Sequence, residues 1–339
     1  MMQVYVLGVG GVGGYLVERL PMVISSLSLD VLEQDDISID QYLENAGHVA
    51  LPCVVDRLVL VDGDTFNARN ALRQGAGAGG KLVSRMRLFK AIVEKRKKAA
   101  ETVLPVVEEL AKLTPEQLAE LDAAEDALTG KHHVTAELIA SMQRSILKAS
   151  FLQNMQLVGF NEYVKPSNME RIIPYDPPVN EENLRCVTSV DNLIKKYFPH
   201  GTSVVFLCID NKIGRYEISK YMENFDNCLV LNGGNDKTVG HVTVYERKDG
   251  VELDPALYRV HPDITADADK RPDEDNCEVV KPQHDQIAVT NSLIADVMLA
   301  RYITWARKGL YTGKDNKKRH NEVMLDIDAP SMMPLYHPN

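Results

Sequence analysis

The 339-residue sequence lacks closely paired cysteines. Its five cysteines are widely spaced and none belongs to a CxxC pair: Cys53, Cys186, Cys208, Cys228 and Cys277. An odd number of cysteines at such spacings argues against a disulfide framework and against a four-cysteine zinc site. We therefore expect no structural zinc, and we expect the protein to work in a reducing compartment, the cytoplasm.

Positive charge and long apolar runs are also in short supply. The 38 Lys and Arg residues against 48 Asp and Glu residues give a net charge of −10. A chain this acidic is a poor default binder of nucleic acid. Glycines break the apolar run near the N-terminus, and Asn291, Asp296 and Arg301 interrupt the run at 287–305. These patterns predict neither a signal peptide nor a membrane span.

The apolar residues that are present, 45% of the chain, are enough for a sizeable core. Buried-strand patterns occur at 4–7, 57–62 and 204–209, and helical spacing follows the first of them. Shorter strand patterns occur at 229–231, 242–245 and 323–327. The order predicts an α/β fold with a Rossmann-like, mostly parallel sheet that becomes mixed toward the C-terminal part and carries a helical insertion.

We interpret the whole chain, 1–339, as a single domain whose excess length lies in added segments. These are an insertion at 21–56, a mostly helical insertion at 82–158, a connecting segment at 159–200, a crossover loop at 262–282 and a C-terminal tail at 310–339. Within the helical insertion, a basic block at 81–98 precedes an acidic block at 101–126. Two long helices packed against each other would explain the blocks, and a partner-binding arm is the alternative.

A glycine-rich turn directly follows the first predicted strand. The spacing GxGxxG is satisfied, with a fourth glycine inside the motif: Gly8, Gly10, Gly11 and Gly13. Glycine lets the backbone approach a pyrophosphate, while the following helix offers N–H groups and the positive end of its dipole. The turn predicts nucleotide binding. Nicotinamide, flavin and ATP stay open at this point, as does a tight turn that binds nothing.

Asp62 ends the second predicted strand, where dinucleotide-binding folds place an acid on a ribose hydroxyl. The loop after it carries further polar side chains: Asp64, Asn70, Arg73 and Gln74. Arg73 can grip phosphate oxygens in a fork, Asn70 can donate to them, and Lys81 adds a point charge after the glycine loop 75–80. Such a set favours phosphate transfer or adenylation over hydride transfer.

The residues from Asp62 to Gln74, after a GxGGxG turn, resemble the ThiF/MoeB superfamily, which includes the ubiquitin-activating enzymes. The segment from Cys208 to Arg215 is similar to the D-N-x-x-x-R strand end of that family. The resemblance covers about 3–20, 57–95 and 203–308. It departs from the family pattern in the missing CxxC pairs and in Phe66, Arg69 and Ala71.

The resemblance implies an ATP-dependent adenylyltransferase that acts with Mg²⁺. It implies that the glycine turn, Asp64 and Gln74 lie around the nucleotide, and that Asp62 holds the ribose. By the same resemblance, Asn70, Arg73 and Lys81 act on the phosphates, and Asp210 binds magnesium beside Asn211. Chemically, a carboxylate with phosphate oxygens is a suitable ligand set for Mg²⁺. A helix N-cap is the alternative role for the pair Asp210 and Asn211.

Cys277 lies in the predicted crossover loop, where the resemblance implies a cysteine before the last long helix. It either accepts the activated carboxyl group as a thioester or is a plain surface cysteine. Four acids surround it: Asp273, Glu274, Asp275 and Glu278. Nearby negative charge disfavours the thiolate.

The implied substrate is the C-terminal glycine of a ubiquitin-like or sulfur-carrier protein, and the implied assembly is a homodimer. Three other functions stay open on the sequence, of which a nicotinamide-dependent dehydrogenase is the weakest. The protein could adenylate a small carboxylate on a modified tRNA base, a function that the basic block at 81–98 favours. It could also be a non-catalytic nucleotide-binding subunit of a heterodimeric activating enzyme.

Overall fold

A computed structural model describes residues 2–34, 53–64, 80–110, 112–129, 136–176, 201–235, 238–266, 288–310, 320–328 and 331–337. The strands in these ranges are β1 (Met2–Leu7), β2 (Val55–Val61), β3 (Gln156–Phe160), β4 (Ser203–Leu207), β5 (Cys228–Asn235), β6 (Val239–Lys248), β7 (Val251–Glu252), β8 (Glu322–Asp326) and β9 (Ser331–Leu335). The helices are α1 (Gly11–Gln34), α2 (Lys81–Leu110), α3 (Pro115–Thr129), α4 (Ala136–Gln153), α5 (Met169–Ile172), α6 (Lys212–Met222), α7 (Leu257–Val260), α8 (Asp263–Ala266) and α9 (Ala288–Leu310).

All these strands form one sheet, in the order β3-β2-β1-β4-β5-β6-β8-β9, with β7 paired to β6. The five strands from β3 to β5 are parallel, and the pairs from β5 onward are antiparallel. The sheet is therefore mostly parallel in its N-terminal part and mixed toward the C-terminus, which confirms the predicted fold class. Chain order reverses beside β1, and open α/β sheets bind ligands at such a reversal, outside the carboxyl ends of the strands.

Apolar residues cover both faces of the parallel strands, as the continuous hydrophobic runs predict. On one face, Val4, Val6 and Phe206 pack under α1, α4 and α9. On the other face, alternate residues such as Tyr5 and Leu7 pack under α5 and α6. Helices therefore cover both faces of the parallel strands in the described part of the chain.

The first helix is longer than the sequence predicts. It continues through Pro21 to Gln34, so the start of the predicted insertion at 21–56 is helical. A proline inside a helix removes one hydrogen bond and costs about 3 kcal/mol. Here the helix persists because Ile24, Leu27 and Val31 beyond the proline are buried in the core.

Besides the two-residue β7 (Val251–Glu252), two five-residue edge strands are absent from the sequence prediction. The strand β3 (Gln156–Phe160) occupies the end of the predicted helical insertion at 82–158 and the start of the predicted connecting segment. The strand β9 (Ser331–Leu335) lies in the predicted C-terminal tail, and the short helix α8 lies in the predicted crossover loop. Both strands are five residues long and pair on one side only, so they carry little of the hydrophobic pattern of a central strand.

The charge blocks do not form two separate helices. The helix α2 contains the whole basic block and continues into the acidic one, to Leu110. Lys97 pairs with Glu101 at 3.9 Å and Glu94 with Lys98 at 3.7 Å, so the blocks meet along one helix axis. The predicted boundary between two helices, one for each block, is therefore wrong: the acidic block begins in α2 and continues in α3 from Pro115. Among the helices described above, none is both long and apolar enough to cross a bilayer.

Candidate nucleotide-binding site

The glycine turn joins β1 to α1 at the carboxyl edge of the sheet. Gly8 has a φ of +86°, which L side chains rarely adopt, and its N–H donates to the carbonyl of Val61 at 2.8 Å. A methyl group at Gly13 would overlap the carbonyl oxygen of Gly8. The motif is therefore required by a close approach of the first turn of α1 to the end of β1, as in dinucleotide-binding turns.

Asp62 fixes this turn from the neighbouring strand. Its Oδ2 accepts from the N–H of Val9 at 2.7 Å, and its Oδ1 accepts from the N–H of Asp64 at 2.8 Å. The residue is 9% exposed, and burial raises its pKa, while the charge of Lys81 and the two N–H donors oppose that shift. Each carboxylate oxygen keeps a second lone pair. A ribose contact by Asp62 stays a prediction beside its observed structural role.

Lys81 and Asp64 form an ion pair beside the turn, with 2.6 Å between Nζ and Oδ2. The Lys81 side chain is 9% exposed, whereas that of Asp64 is 50% exposed and also accepts from the hydroxyl of Tyr163 at 3.3 Å. Lys81 is the first residue of α2, so the helix places its ammonium here. The ammonium is held at the turn by a carboxylate that a phosphate group could replace.

Two side chains that contact the turn were missed in the sequence. Arg85 of α2 donates through Nε to the carbonyl of Val9 at 3.3 Å. Asn291 of α9 is buried, accepts from Nδ2 of Asn235 at 2.8 Å, and lies 2.8 Å from the position that a methyl group at Gly11 would take. Arg85 follows Lys81 by four residues, and this spacing places both side chains on the same side of a helix. The spacing could therefore have indicated Arg85 from the sequence. An amide in an apolar helix gives no such signal.

Asp210 and Asn211 follow β4, which lies next to β1 in the sheet. Asp210 is exposed, and Asn211 caps α6 by accepting from the N–H of Gly214 at 2.8 Å. The cap role left open in the sequence is thus observed for Asn211. The guanidinium of Arg215 donates to the carbonyls of Ile209 at 2.7 Å and Gly233 at 3.0 Å, which fixes the backbone just before Asp210.

No group of three acidic, histidine or cysteine side chains in the described ranges could hold a metal ion. An exposed carboxylate at the end of a strand nevertheless fits Mg²⁺, which keeps several waters and is bound through one or two carboxylates together with substrate phosphates. Magnesium at Asp210 therefore stays a prediction.

The structure thus brings together the glycine turn, Asp62, Asp64 and Lys81, with Asp210 and Asn211 on the adjacent strand end. The remaining predicted site residues lie outside the described residues: Asn70, Arg73, Gln74 and Cys277. Burial raises the pKa of the Cys53 thiol to about 11 and that of Cys228 to about 12. Cys208 packs against the core, and loss of solvation raises its pKa to about 12. These three cysteines are protonated, unreactive thiols at neutral pH.

No protein-family model matches the chain, and no curated protein sequence matches it. Solved structures do show similarity. PaaA is 12% identical with a TM-score of 0.43, over 99% of this chain and 73% of PaaA. E. coli MccB, crystallised with ATP, is 11% identical with a TM-score of 0.42, over 98% of this chain and 63% of MccB.

A further structure shows the microcin C7 biosynthetic enzyme MccB in complex with N-formylated MccA. It is 10% identical with a TM-score of 0.40, over 98% of this chain and 64% of that chain. The chain therefore spans less than two thirds of the MccB structures.

Proposed function

We propose that the protein uses ATP to adenylate a carboxylate, and that the carboxylate is the C-terminal glycine of a ubiquitin-like or sulfur-carrier protein. The observation that carries the proposal is the meeting of the glycine turn, the Lys81 ammonium and the strand end at Asp210 on one edge of the sheet. This edge offers N–H groups, a helix dipole and a buried cation, which together suit a polyphosphate.

The reaction requires positioning and charge stabilisation. A substrate carboxylate oxygen attacks the α-phosphorus, the bond to the pyrophosphate oxygen breaks, and the acyl-adenylate remains. The turn holds the phosphates, and Lys81 exchanges Asp64 for a phosphate oxygen. By resemblance to the ThiF/MoeB superfamily, Asn70 and Arg73 complete the phosphate contacts, and Gln74 lies around the nucleotide. Asp210 would hold Mg²⁺, whose charge neutralises phosphate oxygens.

A second step follows if Cys277 is the acceptor. Its thiolate attacks the carbonyl carbon of the acyl-adenylate, AMP leaves, and a thioester forms. A Cys277→Ala variant then keeps pyrophosphate exchange and loses the thioester. Transfer that persists in this variant would show that Cys277 is not the acceptor. We also propose that the protein forms a homodimer. Light scattering on the purified protein measures its mass and tests this assembly.

Pyrophosphate exchange into ATP, dependent on a small protein that ends in glycine, tests the adenylation itself. We expect exchange with the cognate carboxylate, and a rate lowered about tenfold in Asp210→Asn because the metal-binding charge is lost. Asp249→Asn is the matched control: it changes an exposed acid in the turn between β6 and β7, away from the site, and should keep the full rate. If exchange is absent with every carboxylate partner tried, the proposed function is wrong.

A further inference from the structure

Arg85 is a buried cation against the glycine turn. It lies on α2 four residues after Lys81, and side chains at this spacing occupy the same side of a helix. The residue is 7% exposed, and its Nε donates to the carbonyl of Val9 at 3.3 Å. Burial lowers its pKa, with Glu18, Tyr15 and Asp62 acting in the opposite direction, and a guanidinium stays charged after such a shift.

The guanidinium lies on the backbone of α1 at Gly14. A methyl group at that position would stand 2.5 Å from Nη2 and 2.7 Å from Cζ of Arg85. Gly14 therefore leaves the space that the planar group fills. The fit places a fixed positive charge beside the first turns of α1, where the helix dipole is also positive.

The peptide groups at Val9 are held from two sides. Their N–H donates to Asp62 at 2.7 Å, and their carbonyl accepts from Arg85 at 3.3 Å. Val9 precedes Gly10 and Gly11, whose N–H groups open toward the nucleotide in turns of this kind. A side chain that fixes the Val9 carbonyl thus fixes the direction of the following N–H groups.

We propose that Arg85 is a positioning residue for polyphosphate binding, acting through the Val9 carbonyl and through its charge beside α1 rather than by contact with the nucleotide. The proposal rests on the proposed function, since it assumes that the turn binds ATP. It goes beyond that function by giving one named side chain a selective effect on the phosphates. The affinity for adenosine, which has no phosphates, should not depend on Arg85.

The test compares the affinities of the full-length protein for ATP and for adenosine, by titration calorimetry. Arg85→Met keeps the length and the apolar contacts of the side chain. It should lower the affinity for ATP about tenfold, equivalent to about 1.4 kcal/mol. Adenosine affinity should stay within about twofold. Arg85→Lys keeps the charge without the planar fork and should give an intermediate loss. Arg87→Met, an exposed residue of the same helix, is the matched control and should bind ATP normally.

A second variant displaces the same guanidinium by changing its neighbour on α1. Gly14→Ala should push the flexible end of Arg85 away from Val9 and lower the affinity for ATP by a similar factor. In the Arg85→Met background, the added methyl group should cause no further loss, because the group it displaces is gone. Additive losses in the double variant would overturn the proposal, as would an equal loss of ATP and adenosine or an unchanged ATP affinity in Arg85→Met.

Exchange kinetics separate this proposal from the proposed function. Arg85→Met should raise the KM for ATP about tenfold with kcat within about twofold. If the wild type binds ATP but catalyses no exchange, adenylation is wrong and Arg85 is still judged by the two affinities. If exchange is normal and Arg85→Met leaves KM unchanged, the role of Arg85 is wrong and adenylation stands. A wild type that binds no ATP contradicts both.

Discussion

Replacing Gly13 by alanine is expected to destabilise the protein by about 3 kcal/mol and to abolish nucleotide binding. The new methyl group would overlap the carbonyl oxygen of Gly8 and lie 2.9 Å from its carbonyl carbon. These are backbone atoms that cannot rotate away. Gly8 is also held in place, because its N–H donates to Val61 and a methyl group there would already stand 2.9 Å from the carbonyl oxygen of Cys208.

Gly14→Ala is the matched control for stability. It changes the next residue of the same helix, but its methyl group meets the end of the flexible Arg85 side chain. Alanine also favours a helix over glycine by about 1 kcal/mol. Displacement of Arg85 from Val9 offsets this gain. Urea unfolding should therefore show Gly14→Ala close to the wild type in stability and Gly13→Ala far less stable. Equal stability of the two variants would show that the turn can open at Gly8 without cost.

The central strands and the glycine turn could be predicted because each is recorded locally in the sequence. β1, β2 and β4 each contain a run of at least four apolar residues, at 4–7, 58–61 and 204–207, because parallel strands are buried on both faces. The turn is a motif within six residues, and Asp62 is the first polar residue after its strand. The role of a residue can thus be predicted from the sequence when it depends on neighbouring positions in the chain.

What escaped prediction depends on contacts between distant parts of the chain. Arg85 meets Val9 across 76 residues, and Asn291 reaches Gly11 only because α9 packs along α1. Pro21 predicts the end of a helix, yet burial of the following residues keeps α1 helical. Helix propensities differ by at most about 0.7 kcal/mol among ordinary residues and by about 3 kcal/mol for proline, and burial of several apolar side chains can exceed either.

One buried carboxylate with two histidine partners also escaped prediction. We call this group the His–Glu clasp; it consists of His261, Glu322 and His337. Glu322 of β8 is 3% exposed, with Oε1 at 2.8 Å from Nε2 of His261 and Oε2 at 2.6 Å from Nε2 of His337. Asn321 adds two hydrogen bonds with the backbone of His337, at 2.8 Å and 2.9 Å. The clasp ties the segment after β9 and the segment between α7 and α8 to one strand.

The clasp should make stability depend on pH in a stated direction. The hydrogen bond to Glu322 raises the pKa of His261, aided by Asp263 and opposed by burial and Arg215. A raised histidine pKa gives stability that is complete below the unfolded value of 6.5 and is lost as pH rises through the folded value. Burial opposes ionisation of Glu322, but the two histidines lower its pKa, so its share is complete above 4.5 and lost in more acidic solution.

Glu322→Gln should therefore cost about 2–3 kcal/mol near pH 5.5, where Glu322 and His261 are both charged. The cost should shrink by pH 8.5, because His261 loses its proton and the wild type loses the ionic part of the contact. Urea unfolding of both proteins across this range measures the difference. Glu252→Gln is the matched control, since Glu252 pairs with Arg259, whose charge does not change in this range. A cost for Glu322→Gln that is constant from pH 5.5 to 8.5, or that grows with pH, would show that the charge of His261 does not strengthen its contact with Glu322.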